Sequence, residues 1–296
     1  MAPYNKGMRC DLHVHTNHSG MCTIPLLRRV CRESYNEPLA VYEKLKRLGM
    51  DLVTVTDHDS IDAAEALRSR PDFFLSEEVT CHLPSGTELH MGVYDITDRD
   101  HVEIQRRRDD FESLTVWLRE RNLLFSANHV FSSLTGRRSL ADFELFERDF
   151  PAIETRNGHI LAHANENAAA LADFSAKAEV GGSDAHAMAS VGCAWTVVPR
   201  ARSRQEYLDG LRRGLGKVRG DTGGYWKLTR DVLTIGGQMV RHNPLTLPLA
   251  PLALGVPLVM LGNYAAEGIF ARWWMSRYLR ARPQRFPSVE VAGVAA

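Results

Sequence analysis

Neither sign of charge is in excess in this 296-residue chain: Lys plus Arg and Asp plus Glu both number 36. A neutral molecule offers polyanions no long-range attraction, so the sequence reads against a dedicated nucleic-acid binder. Paired cysteine spacing is missing too. The five cysteines, Cys10, Cys22, Cys31, Cys81 and Cys193, are odd in number and never fall as CxxC, which argues against a disulfide framework and for a reducing compartment. No apolar leader segment precedes Asp11, so the expected location is the cytoplasm.

What the chain does carry is histidine in organised places. Asp11-Leu12-His13-Val14-His15 runs straight into Thr16, Asn17 and His18. On extended backbone, residues two apart share a face, so His13 and His15 present two imidazoles together, and neutral imidazole is the commonest protein ligand for transition metals. From Leu39 to Leu48 apolar residues fall at helical spacing and Gly49 supplies a stop. The β-branched run 52–56 then reads as a buried strand ending in Asp57-His58-Asp59. The pattern recurs: 73–75 leads into Glu77-Glu78, 89–93 carries His90, and 123–127 leads into Asn128-His129. Further on, 152–153 leads into Glu154 and 180–182 into Ser183-Asp184-Ala185-His186. Helical segments are expected around 102–121, 139–148, 165–175 and 203–213. Strands alternating with helices, with polar residues at the strand ends, predict a parallel α/β barrel whose site lies at the C-terminal face. The run Gln105–Asp110 mixes Arg with Asp and reads as a solvated helix face.

Eight residues from six segments emerge as candidate ligands: His13, His15, His58, Glu78, His90, His129, Asp184 and His186. Each has a bland explanation singly; together they do not. Mixed imidazole and carboxylate donors suit zinc, manganese or iron, and eight of them exceed the needs of one ion.

The order DLHVH, VTVTDHDS, SEEVT, LHMGVY, ANHVF, GGSDAH over about residues 9–220 resembles the PHP superfamily, named for polymerase and histidinol phosphatase. The resemblance implies a distorted (βα)7 barrel holding up to three metals and hydrolysing phosphoesters. It assigns His13, His15 and Asp184, with bridging Glu78, to one site; Glu78, His90 and His129 to a second; and His58 and His186 to a third. Glu77 is the alternative to Glu78. The family's further ligand to the third site, seven or eight residues past the first histidine, is missing, because Gly20 and Met21 stand there. Either His18 or Cys22 reaches in instead, or the third site is incomplete and holds metal weakly.

The chemistry so implied is activation of water by two or three divalent ions (Zn, Mn or Fe) for attack on phosphorus, with Asp184 and His186 in the catalytic set. Asp57 and Asp11 are candidates for fixing ligand rings. Arg137, Arg138 and Arg156 follow strand ends and are candidate phosphate clamps. The expected substrate is a small phosphorylated molecule. Two other readings stand: a metal-binding barrel without turnover, and an amidohydrolase-like enzyme, which needs a bridging lysine after a strand where none is found.

Beyond residue 226 the composition changes. No residue from Asn243 to Ala266 is charged, and the apolar stretch 244–261 is long enough to cross a bilayer, although four prolines argue against one regular helix. Trp273, Trp274 and Tyr278 then lie among Arg272, Arg277, Arg280, Arg282 and Arg285. The expected organisation is a barrel over 1–225, a helical appendage over 226–286 and a disordered tail over 287–296. The appendage reads as a membrane contact through 243–285, a cap packed on the barrel, or a partner-binding tail. Oligomeric state is not legible.

Overall fold

A computed structural model describes residues 7–282; the expected tail at 287–296, and Arg285, lie outside the described residues. The chain opens with β1 (Met8–Cys10), which stops before the two histidines, and α1 (Pro38–Arg47) and the short α2 (Ala64–Leu67) follow. Next come β2 (Ser76–His82), β3 (Glu88–Tyr94), α3 (Asp98–Arg107), α4 (Phe111–Glu120), β4 (Leu124–Ala127), α5 (Leu140–Asp149) and β5 (Ala152–Asn157). After these lie α6 (Ala162–Phe174), β6 (Ala178–Gly182), β7 (Ala194–Val198), α7 (Arg204–Arg212), β8 (Lys217–Gly220), α8 (Tyr225–His242) and α9 (Val256–Ala281). The mixed α/β class agrees with the sequence reading.

The strand arrangement departs from the expected parallel (βα)7 barrel. Among the described residues the strands form two sheets, β2-β3-β4-β5-β6 and β1-β7-β8, and their ladders do not close a barrel. Among the strands of the described residues only β4, β5 and β6 pair in parallel, with isolated parallel bridges such as Val14 to Ala185 outside them. Loop length explains β2 and β3: Leu83–Thr87 is far too short for a crossover, so the strands turn back as a hairpin, with Gly86 at φ +80°. The expected strand at 52–56 gives only isolated bridges, Val53 to Phe73 and then His58 to Glu78. Side chains do part of the ladder's work there: the Val14 N–H donates to Thr56 Oγ1 (3.0 Å), and Thr54 Oγ1 donates to the Phe74 carbonyl (2.8 Å).

The single helix expected over 102–121 is two. Asp110 interrupts it and caps α4 by accepting the Ser113 N–H at 3.0 Å. Thr97 and Asp100 form a reciprocal capping box on α3.

The largest core cluster packs β2–β5 against α3–α6, and the far half of α9 belongs to it through Ala271, Trp274 and Tyr278. The Trp274 and Tyr278 rings lie 5.7 and 5.4 Å from that of Phe143. The proline-rich run Pro244–Gly255 is a 3-10 helix, and Pro257 falls in the first turn of α9, where its missing N–H needs no partner. The helical run 244–281 contains an 18-residue window apolar enough to cross a membrane, with a mean hydropathy of 1.9, and little of that window is buried: Leu245, Leu254 and Leu258 are 88, 86 and 75% exposed.

Candidate metal centre

The two sheets and the loop after β1 bring the ligand candidates to one place. His13 Nε2 lies 3.1 Å from His15 Nε2, 3.0 Å from Glu78 Oε2 and 3.5 Å from Asp184 Oδ1. His15 Nε2 is 3.3 Å from both of those carboxylate oxygens. The other oxygen of Glu78 faces a second set of rings, His129 Nε2 at 3.5 Å and His90 Nδ1 at 3.8 Å. His58 Nδ1 stands 3.5 Å from Glu78 Oε2, and the His186 ring stacks on His15 with centroids 4.2 Å apart. Glu78 and His90 are not at strand ends as expected; they sit inside β2 and β3, where Thr80 faces His90 across the hairpin. Strand alternation also separates the two glutamates: Glu77 points away, to His101 Nδ1 (2.8 Å) and Gln105 Nε2 (2.9 Å).

Buried partners set the direction of each ring. Glu154 Oε1 accepts from His13 Nδ1 at 2.7 Å, which leaves the Nε2 lone pair aimed at Glu78 and Asp184. Ser19 Oγ donates to Asp57 Oδ1 (2.6 Å) and so accepts from His15 Nδ1 (3.0 Å). Asp57 therefore acts on His15 through Ser19 and on Thr16, not on adjacent His58. Asp11 orients no ring; its carboxylate accepts N–H groups of His13, Ser183 and Gly192 and the Ser183 hydroxyl, tying the HxH segment to the Asp184 loop. His186 Nδ1 donates to the Asp184 carbonyl (3.1 Å) and presents Nε2 outward. Under Glu78 runs a chain from Tyr94 through Ser126 to Asn128, whose Nδ2 donates to Glu78 Oε1 at 2.8 Å. Gly92 makes room for it, since a Cβ there would collide with the Tyr94 hydroxyl. His129 and Asp184 hold left-handed backbone, at φ +33° and +50°.

The electrostatics follow from charges packed out of water. Burial pushes the Glu78 and Asp184 carboxyls up, but the surrounding imidazoles outweigh it and hold both well below the usual carboxylate range. Burial works against charge on His15, yet Asp184 and Glu78 raise it to about 9. For His186 burial wins, with His15 adding to it, and its pKa falls to about 3.

The donor set fits divalent cations. His58 Nδ1 and His186 Nε2 are buried atoms without hydrogen-bond partners, an arrangement that water-excluded polar atoms rarely adopt unless a ligand satisfies them. His13, His15 and Asp184 offer donor atoms within 4.8 Å of one another, as do His58, Glu78 and His90, and as do His15, His58 and His186. Two donors about 2.1 Å from one ion lie roughly 3–4 Å apart.

Four candidates do not join the cluster. His18 is exposed; its backbone N–H bonds Thr16 Oγ1, and it enters none of these groupings. Arg137 is exposed and lines a groove of about 810 Å³ against α9. Arg138 is buried and bonded to the Val130 and Glu88 carbonyls and the Thr135 hydroxyl. Arg156 is displaced by a register shift in β5 between Glu154 and Arg156, which puts Asn157 on Glu154's face: Asn157 Nδ2 donates to Glu154 Oε2 (3.0 Å) and Asp184 Oδ2 (2.9 Å).

Several residues at the centre carried no assignment in the sequence. Glu154 had a signal, since it follows a strand. His159 stacks on His186 at 5.8 Å and groups with Asp184 and His186, and Asp231 of α8 holds its Nε2 at 3.2 Å. Glu33 stands at the outer edge, where burial raises its carboxyl to about 7. Asp231 and Glu33 arrive through long-range folding that no local pattern announces.

Comparison with known proteins follows this geometry. A family model described as PHP-associated matches residues 162–215. A two-domain protein containing a predicted PHP-like metal-dependent phosphoesterase, from Bacteroides vulgatus, is similar in structure: TM-score 0.56, 16% identity, covering 72% of this chain and 65% of that one. This chain thus spans just under two thirds of that protein. PsfC from Pseudomonas syringae gives a TM-score of 0.54 at 18% identity, over 79% of this chain and 98% of that one. The lesion-specific endonuclease PfuEndoQ from Pyrococcus furiosus gives 0.49 at 16%, over 71% and 57%. No curated protein matches. Net neutrality does not set nucleic acid aside, because the field at a phosphodiester is made by the groups and cations nearest it. The order of the ligand motifs, the similar fold and the PHP-associated match over residues 162–215 agree in likening the chain to PHP-type proteins.

Proposed function

We propose that the chain is a metal-dependent hydrolase that cleaves a phosphoester in a small phosphorylated molecule. The observation that carries this reading is Glu78, whose Oε2 faces His13 and His15 while its Oε1 faces His129 and His90, the disposition of a carboxylate shared between two cations. His13, His15 and Asp184 would complete one site, and His90 and His129 the other. Two divalent ions so held supply Lewis acidity, lowering the pKa of water toward neutrality and offsetting charge on phosphoryl oxygens.

The protein's own part is orientation and exclusion of water. Glu154 keeps the His13 proton on Nδ1, and Ser19 with Asp57 does the same for His15, so both Nε2 atoms remain free to bind. Asn157 pins Asp184 from one side while Asp11 anchors its loop from below. His13, His15 and Glu78 are almost fully buried, whereas His58, His90, His159 and His186 are partly exposed and form the mouth through which a phosphate enters. The chemistry on this reading belongs to residues 1–225, with 226–286 an appendage that reaches back through Asp231.

The test is phosphate release by protein reconstituted in turn with Mn, Zn and Fe, across phosphomonoesters, phosphodiesters and a short oligonucleotide. Turnover on one ester class, lost in Asp184→Asn, is expected; cations bound without turnover on any ester would favour a binding role instead.

A further inference from the structure

We infer that Glu33 is the ligand that closes a third cation site with His58 and His186. The inference rests on the metal-centre reading above and names a residue that the PHP motif order does not supply. Seven and eight residues past His13 stand Gly20 and Met21, neither with a side chain suited to a hard cation.

The fold replaces what the sequence lacks. Beyond Gly20 the chain makes a loop and returns: Met21 bridges Arg32 in antiparallel fashion, the Cys22 N–H donates to the Cys31 carbonyl (3.0 Å), and the Glu33 N–H donates to the Gly20 carbonyl (3.2 Å). Glu33 is therefore the backbone partner of the very position where a ligand is missing. The segment after it is fixed to both ligand loops, since Asn36 Nδ2 donates to the His15 carbonyl (3.1 Å) and the Ala185 carbonyl (3.2 Å).

The side-chain geometry matches that placement. Glu33 Oε2 lies 3.8 Å from His58 Nε2, and Oε1 lies 3.8 Å from His186 Nε2. Both imidazole atoms face away from the Glu78 side of the centre, because His58 turns Nδ1 to Glu78 and His186 turns Nδ1 to Asp184. His186 Nε2 is buried and has no hydrogen-bond partner. Separations of 3.8 Å are too long for hydrogen bonds and fall within the donor-to-donor span around one ion. Two imidazoles and one carboxylate on one side leave positions open for water or a substrate oxygen, the arrangement of a catalytic cation rather than a closed structural one.

The experiment counts cations. Wild type, Glu33→Gln, Glu33→Asp and His18→Ala are loaded with Mn, desalted and measured by plasma mass spectrometry, with binding isotherms by calorimetry and folding checked by circular dichroism. Wild type and His18→Ala should each hold three equivalents, Glu33→Gln two, and Glu33→Asp three with the last weakened. Three tight equivalents in Glu33→Gln, two in wild type, or loss of one in His18→Ala would each overturn the assignment. The count is read without turnover, so an absence of phosphoesterase activity would refute the proposed function and leave this assignment standing.

Discussion

Exchange of Glu154 for glutamine isolates the control of a ligand ring by a residue that binds no cation itself. Glu154 accepts three hydrogen bonds: His13 Nδ1 on Oε1 at 2.7 Å, and the His129 N–H and Asn157 Nδ2 on Oε2, both at 3.0 Å. An amide has one oxygen, so Glu154→Gln must turn its NH2 toward one of these groups. Turned toward Oε2's partners, it opposes two donors. Turned toward His13, it forces the proton from Nδ1 to Nε2, the atom that faces Glu78 and Asp184. The first arrangement opposes buried donors at a cost in stability of about 1–3 kcal/mol and keeps the His13 proton on Nδ1; the second takes away the Nε2 lone pair that a cation needs. In the second arrangement cation affinity at the His13 site should fall roughly 10- to 100-fold, the usual effect of changing the partner that orients a metal-binding histidine. Calorimetric titration of cation-stripped protein reads this directly, alongside urea denaturation. Affinity within about threefold of wild type together with unchanged stability would refute the claim that Glu154 sets the His13 tautomer.

Asp100 gives a pH-dependent prediction remote from the centre. Burial raises its carboxyl pKa, but hydrogen bonds from the Thr97 hydroxyl and N–H, with Arg121 behind them, outweigh it and the net shift is downward. A folded-state pKa below the unfolded value stabilises above about pH 4 and loses that contribution as pH falls further. Asp100→Asn should therefore cost about 0.5–2 kcal/mol at pH 7 by urea denaturation, with the gap to wild type narrowing below about pH 4; a gap constant from pH 3 to 7 counts against it. In the C-terminal segment Leu245, Leu254 and Leu258 are exposed within the uncharged stretch 243–266, which Arg272, Trp273, Arg277 and Arg280 follow in sequence, a composition suited to a bilayer interface. Wild type should float with vesicles containing anionic lipid and the triple serine variant should stay in the soluble fraction; equal flotation of both would exclude this surface as the contact.

How much of this was readable beforehand depends on the distance over which each signal acts. The ligand candidates were legible because metal chemistry restricts residue types and short motifs bring their own spacing, and the structure gathers His13, His15, His58, Glu78, His90, His129, Asp184 and His186 around one point. Strand direction was not legible from apolar runs alone, although the brevity of Leu83–Thr87 carried the hairpin. The run 52–56 misled because Thr54 and Thr56 pair through their hydroxyls, which periodicity cannot distinguish from a ladder. Arg156 was a candidate because it follows a strand end, and a register irregularity in β5 gives the place beside Glu154 to Asn157. Asp231 meets His159 from 72 residues away, and Glu33 reaches His186 across the whole fold, contacts that exist only once the chain is compact.

The central claim, that a shared carboxylate holds cations which hydrolyse a phosphoester, is tested most directly by adding Mn in known equivalents to stripped protein while following phosphate release from a responsive ester. No turnover is expected before the first site fills, with a steep onset as the second equivalent binds and no onset at any concentration in Glu78→Gln. Full turnover by stripped protein, or by Glu78→Gln at the same Mn concentration, would contradict it.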